Sequence, residues 1–278
     1  MTWSPELEPY IRLGSFLSIF VVMALWEMAA PCRQLITKRR SRWLNNLGLV
    51  VVDTLLLRVV APAGAVGMAW FADARGWGVL NLVPVNFPFW AKVVAAVIIL
   101  DFIIYLQHVM FHAVPVLWRL HMVHHADIDF DVTTGIRFHP VEILLSMVIK
   151  AAAIAALGPP AMAVLIFEVV LNGTATFNHA NVSLPGAIDR ALRWIVVTPD
   201  MHRVHHSIDI GESNSNFGFS LPWWDRLMGT YTAQPAAGHQ GMTIGLTHVR
   251  ERRQNLFWML VLPFRGDPGD YPLGHEND

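Results

Sequence analysis

Eight of the thirteen histidines are gathered into three short clusters, and this pattern restricts the fold more than any other feature. The clusters read His108-Val-Met-Phe-His112, His121-Met-Val-His124-His125 and His202-Arg-Val-His205-His206. Residues three and four apart share one face of a helix, so each cluster points its imidazoles in a single direction. The three faces form one site only if the chain between them returns to the same place. Eight imidazoles exceed the four ligands of a tetrahedral zinc and suit two ions. Imidazole serves iron, zinc, copper and nickel alike, so donor type leaves the metal unnamed.

The remainder of the chain is oily. Only 15% of its residues are charged, against about 25% in soluble domains, and mean hydropathy is +0.42. Leu13–Ala30 is an apolar run interrupted by Glu27, close to the ~20 residues that one bilayer crossing takes. The stretch before it, Met-Thr-Trp-Ser-Pro-Glu, has no basic segment, so the run reads as a retained anchor and not a cleaved leader. Arg33, Lys38, Arg39, Arg40 and Arg42 follow and read as a cytoplasmic loop, leaving the N-terminus outside. Leu47–Ala72 is a second run, carrying Asp53 and Arg58 and softened by Pro62 and Gly64. After a turn over Asp73–Asn86, the third run, Phe87–Leu106, delivers His108 to the cytoplasmic face.

Val141–Leu171 is split by Gly158-Pro159-Pro160 into halves too short for straight spans. A helical hairpin that enters and leaves by one face is the reading that returns the third cluster to the side of the first two. The expected fold is therefore all-α, an integral membrane protein with about three single-span helices, a Pro-broken hairpin and a cytoplasmic helical cap carrying the histidine clusters. One membrane-embedded domain, 1–278, divides into membrane helices (13–106), the first two clusters (107–140), the hairpin (141–171), the cap (172–264) and a loose tail (265–278). Trp194, Trp223 and Trp224 suit the headgroup level. A net charge of −1 gives no electrostatic case for nucleic acid as a partner. With Cys32 as the one cysteine, an internal disulfide, a cysteine zinc site and a thiolate-held iron–sulfur cluster are excluded.

Divalent ions among neutral imidazoles call for anions nearby. Asp101 lies two helical turns before His108 on the same face and is placed to orient a ligand ring. Asp200 precedes the third cluster, and Asn178, Arg203 and Glu142 are weaker candidates. Asp127, Asp129 and Asp131 read as a solvated acidic turn. Met110, Phe111, Phe177, Phe217 and Phe219 are candidates to line a route from the bilayer.

Beyond the clusters, Leu117-Trp118-Arg119-Leu120-His121, Arg137-Phe138-His139-Pro140-Val141-Glu142, Phe177-Asn178-His179 and Thr198-Pro199-Asp200-Met201-His202 form a consistent series. Asn214-Ser215-Asn216-Phe217-Gly218 and Trp224–Tyr231 close it. In these motifs and their order, from about Tyr105 to Tyr231, the chain resembles the fatty acid hydroxylase/sterol desaturase superfamily of membrane di-iron oxygenases. The first hundred residues resemble it only in being hydrophobic helices. The resemblance implies two non-haem irons, dioxygen as co-substrate, and attack on an unactivated C–H bond of a lipid such as a fatty acyl chain or sterol. The implied ligands are His108, His112, His121, His124, His125, His202, His205 and His206, with His179 a ninth. His139 is placed behind the ligands, and no catalytic residue is implied beyond them. Hydroxylation is preferred over desaturation. Electrons would come from a separate ferredoxin or cytochrome with its reductase, because the chain has no cysteine set and no fused haem domain. The compact length points to a bacterial inner membrane.

Three other readings compete. A membrane zinc hydrolase acting on a lipid would use a metal-activated water, yet no H-E-x-x-H is present: Val, Met and Arg follow His108, His121 and His202. A non-enzymatic metal-binding or transport protein would hold its ligands near the bilayer midplane, and these lie at the end of the third run. Bis-histidine haem ligation uses two histidines and leaves six unexplained.

Overall fold

The computed structural model describes residues 5–82, 84, 87–250, 254–265 and 267–273, and among these the chain is all-helical. The first seven α-helices are α1 (Glu8–Ala29), α2 (Arg39–Val60), α3 (Gly64–Ala74), α4 (Phe89–Ala113), α5 (Pro115–His125), α6 (Pro140–Leu157) and α7 (Ala161–Asn178). Five segments are long and apolar enough to cross a membrane: α1, the broken pair α2–α3, α4, α6 and α7. The outward sides of α1 and α2 expose Leu13, Val22, Leu25, Val51, Leu55 and Val59, a surface that hydrocarbon accepts and water does not. The protein is a membrane protein. Small residues, Ala65, Ala69, Ala96 and Ala163, sit where α3, α4 and α7 share a core with Leu100, Val164 and Phe167, and they let the helices approach closely.

The hairpin expected across Gly158-Pro159-Pro160 is present as α6 and α7, but its halves are not too short to span: each has 18 residues and is long and apolar enough to cross a membrane. Gly158 ends α6 in the left-handed conformation with φ 63°, and Pro160 caps α7. The turn after α3 packs directly on it. A Cβ on Gly78 would lie 2.1 Å from the Gly158 nitrogen, so this contact at the far end of the bundle requires glycine. At the opposite end, the C-termini of α4 and α7 meet α5 and the start of α6.

Small helices follow in the second half of the chain: α8 (Gly186–Leu192), α9 (Pro199–His205), α10 (Ile210–Ser213), α11 (Trp223–Met228), α12 (Gly238–Gly241) and α13 (Leu256–Val261). Trp194 and Trp223 are exposed, as a headgroup-level position would require, while the Trp224 indole is tied to Asp101.

Three further expectations are corrected. The second span begins at Arg39, so Arg39, Arg40 and Arg42 are its first turn and not a loop. The acidic turn is not solvated. Asp127, Asp129 and Asp131 are all buried, because Arg42 donates to Asp127 and Asp131, while Thr37 and the Ile36 amide donate to Asp129. Third, the tail is packed as far as Leu273: Trp118 donates to the Pro268 carbonyl at 2.9 Å, and Tyr271 is buried against that indole. Its last residues, 274–278, lie outside the described residues.

Candidate metal centre

Each helix bringing a histidine has a local reason to stop or start there. Pro115 opens α5 immediately after α4 ends, so His108 and His112 on α4 turn back onto His121, His124 and His125 on α5. Thr198 caps α9 by accepting from the Met201 amide, with Pro199 in the first turn, which orients His202 and His205. His179 follows the last turn of α7. Gly135 permits its position, since a Cβ there would lie 2.8 Å from the Ala175 carbonyl oxygen and 3.0 Å from His179 Nδ1.

The nine rings, all buried, divide into two groups. His108, His112, His121, His125 and His205 form one, and His124, His179, His202 and His206 the other; within each, the candidate ligand atoms lie within 4.8 Å of one another. In the first group, Nε2 atoms face each other at 3.1 Å (His108 and His121), 3.0 Å (His205 and His108) and 3.2 Å (His112 and His125). In the second, His179 Nε2 is 3.2 Å from His124 and 3.0 Å from His202.

Hydrogen bonds on the far side of the rings decide what those nitrogens are. His108 Nδ1 donates to the Phe217 carbonyl at 2.7 Å, His205 Nδ1 to the Ser215 carbonyl at 2.7 Å, and His179 Nδ1 to the Ala175 carbonyl at 2.8 Å. His121 Nδ1 meets Glu142 Oε1 at 2.7 Å. Asn214 donates through Nδ2 to the Tyr271 carbonyl, which leaves Oδ1 to accept from His112 Nδ1 at 3.1 Å. A carbonyl oxygen only accepts, so these Nδ1 atoms carry the proton and the inward Nε2 atoms carry lone pairs. In the His108–His121 and His205–His108 pairs two lone pairs thus face each other, which repels and is not a hydrogen bond. Two nitrogens bound at ~2.1 Å to one ion stand about 3.0 Å apart at a right angle and ~3.4 Å apart at a tetrahedral angle. The spacing fits ions. His206 adds to the fit: neither ring nitrogen has a hydrogen-bond partner among the described residues, although the ring is fully buried.

Burial also keeps the rings neutral. It presses the His121 and His179 imidazoles down to about 3, and His124, His125, His202, His205 and His206 well below the ordinary value, with neighbouring imidazoles adding to the effect for those five. Neutral imidazole is the form that binds metal.

The other candidates lie further out. Asp101 accepts from Trp224 Nε1 at 2.8 Å and the Leu221 amide at 3.2 Å, and bonds to no histidine ring among the described residues. It braces the segment whose Phe217 carbonyl receives His108, so its effect on a ring is indirect. Asp225 pins the same segment through the Phe217 and Gly218 amides. His139 caps α6 and bonds to the Leu260 carbonyl, outside both groups. Asp200 is engaged by Arg203 and by His239, and Asn178 donates to the Phe219 carbonyl. Glu142, a weaker candidate from sequence, is the carboxylate that touches a ring. Asn214 was missed, because its partner lies 102 residues away in sequence.

A cleft of about 280 Å³ leads from the helix bundle to His108 and His121. Phe111 and Phe219 line it, as expected; Phe217 instead packs on the rings of His108, His112 and His205, and Phe177 joins a separate core with Met23 and Val132.

The fold and centre define a helical membrane protein with two clustered histidine groups. The family model described as Fatty acid hydroxylase matches residues 93–230, a stretch holding all nine histidines. Ornithine lipid hydroxylase OlsE of Rhizobium tropici is 28% identical over 224 residues, covering 79% of this chain and 66% of that protein. Alkylglycerol monooxygenase of Xenopus tropicalis is 29% identical over 153 residues, 53% of this chain and 31% of its own. Very-long-chain aldehyde decarbonylase GL1-1 of Oryza sativa subsp. indica is 28% identical over 156 residues, 53% of this chain and 24% of its own. The chain thus spans just under two thirds of the first relative and under a third of the other two. No solved structure matches it. The stretch 93–230 belongs to the fatty acid hydroxylase family.

Proposed function

We propose that the protein is a membrane lipid oxygenase, an oxidoreductase that uses dioxygen and external electrons to hydroxylate a C–H position of a lipid. The observation carrying this reading is the set of nine buried imidazoles, divided five and four, with inward lone pairs fixed on five of them by partners on Nδ1. His108, His112, His121, His125 and His205 would hold one iron, and His124, His179, His202 and His206 the other. When bound, the two irons supply the one-electron chemistry that dioxygen activation needs. The chain's own residues do the rest. Phe217, Asn214, Ser215 and Glu142 hold protons on Nδ1 so that the rings keep their tautomer and angle. Phe138, stacked on His124 at 4.6 Å, and Phe217 keep water from the rings. The cleft gives a lipid lateral access to the edge formed by His108 and His121.

Oxygen insertion is favoured over desaturation because two of the aligned relatives are named a hydroxylase and a monooxygenase. Arg42 on the first turn of α2 bonds to Asp127 just after the second cluster, so the basic segment and the centre share one end of the bundle. That placement supports a cytoplasmic centre and an N-terminus outside. A separate ferredoxin or cytochrome with its reductase would supply electrons.

The test is turnover under oxygen-18. Protein reconstituted with iron, a chemical or enzymatic reductant and a bacterial lipid extract should place the label in a lipid hydroxyl, and His205→Ala should place none. Release of free fatty acid with no gas-derived label would instead establish the zinc hydrolase.

A further inference from the structure

The cleft is not lined as a plain hydrocarbon channel would be. Phe16, Leu57 and Phe219 supply apolar wall, but Glu142, Ser146 and Lys150, at successive i, i+4 positions along about 12 Å of α6, also face it. Asp53 on α2 and Gln107 on α4 line it too. Three oxygens of these lining residues are buried without a hydrogen-bond partner among the described residues: Asp53 Oδ1, Gln107 Oε1 and Glu142 Oε2. Asp53 and Glu142 are only 7% and 4% exposed. Lys150 does not answer them, because its ammonium is held by Glu168 at 3.0 Å, and Glu168 also pairs with Arg12 at 3.1 Å. Buried oxygens of this kind, at membrane depth, cost free energy unless a donor meets them. The cleft therefore holds three buried oxygens that no group among the described residues meets.

We propose that the cleft binds a lipid bearing a protonated amine, with the ammonium seated among Asp53, Gln107 and Glu142. An ammonium has three N–H donors and no acceptor, whereas a hydroxyl has one donor and a carboxylate none. A carboxylate would also meet two acidic side chains. Glu142 reaches the His121 ring through its other oxygen, so an amine on Oε2 sits one carboxyl group away from the centre. On the oxygenase reading above, the carbon attacked then lies close to the amine, in the polar part of the lipid, and not far along an acyl chain.

Binding is tested without turnover. The purified full chain, in detergent and without reductant, is offered equal hexadecylamine, hexadecanol and hexadecanoic acid near pH 7, and retained ligand is counted by native mass spectrometry. The amine is expected to be held about tenfold more tightly than the alcohol, and the acid least. Asp53→Asn, which touches no histidine, should abolish most of that preference and leave alcohol binding unchanged. Hexadecyltrimethylammonium, which keeps the charge but has no N–H, should bind no better than the alcohol. This comparison uses the unaltered protein and decides the matter even if the variant fails to fold. Equal retention of amine and alcohol, or of amine and its trimethyl form, would overturn the inference. Selective amine binding without oxygen-18 labelling of lipid would leave the inference standing and remove the oxygenase reading; labelling without selectivity would do the reverse.

Discussion

The two histidine groups are held differently from behind. In the five-histidine group, four rings have an oxygen partner on Nδ1, from Phe217, Asn214, Glu142 and Ser215. In the four-histidine group only His179 has one among the described residues; His124 Nδ1, His202 Nδ1 and both nitrogens of His206 have no hydrogen-bond partner there. Partners behind a ligand are worth about 10–100-fold in metal affinity, so a chelator should strip the four-histidine ion first. Metal analysis across a chelator titration should show a plateau near one ion per chain, with His206→Ala starting at that plateau. Glu142→Gln keeps the size but weakens the bond to His121, and should cost about 10–100-fold in turnover or metal affinity while the fold survives. The clusters themselves were legible in the sequence because helical spacing fixes which residues share a face. His179 was reached only through resemblance, as a lone histidine carries no periodic signal. Glu142 was weighed too low and Asn214 was not seen, because both act across distances in sequence that spacing does not report.

At the level of elements, the centre depends on α7 passing close to the short segment before α6. Gly135 is the contact point. Gly135→Ala would place a methyl against the Ala175 carbonyl and the His179 ring, and overpacking of this kind costs about 1–3 kcal/mol. Since α7 carries His179, the expected outcome is loss of one ion with only a modest fall in melting temperature. Retention of both ions would show that α7 can shift without cost. The α6–α7 hairpin was legible because proline and glycine interrupt an otherwise apolar run. Asp101 was misread at this scale: helical phase placed it on the His108 face, but not the Trp224 indole that takes its carboxylate.

Across the whole molecule, one buried ionic network joins α2 to the segment that links α5 and α6, just after the second histidine cluster. Arg42 binds Asp127 and Asp131, and Arg137 stands 3.7 Å from Asp127. The sequence showed three acids and a basic run but not that they pair, so a solvated turn was the natural misreading. Removing one partner of a buried pair costs about 3–5 kcal/mol, and Arg42→Met should lower thermal stability accordingly. Burial alone would raise the Asp127 carboxyl, but Arg42 and Arg137 hold it at about 2. Its folded value lies below the ordinary ~3.9, so this stability is present above that pH and is lost as pH falls toward 2. The histidines act earlier in an acid titration. With His121 and His179 near 3 when folded and about 6.5 when unfolded, the metal-free protein should lose stability progressively as pH falls below ~6.5. A metal-free melting temperature constant between pH 7 and 5 would contradict that burial.

The most direct test of the central claim is metal content measured together with the Mössbauer spectrum of iron-57-loaded protein. The account predicts about two irons per chain, in two nitrogen-rich environments, that react with dioxygen after reduction. His205→Ala and His206→Ala should each remove a different one. Two zinc ions that iron does not displace, with no response to reduction, would contradict it.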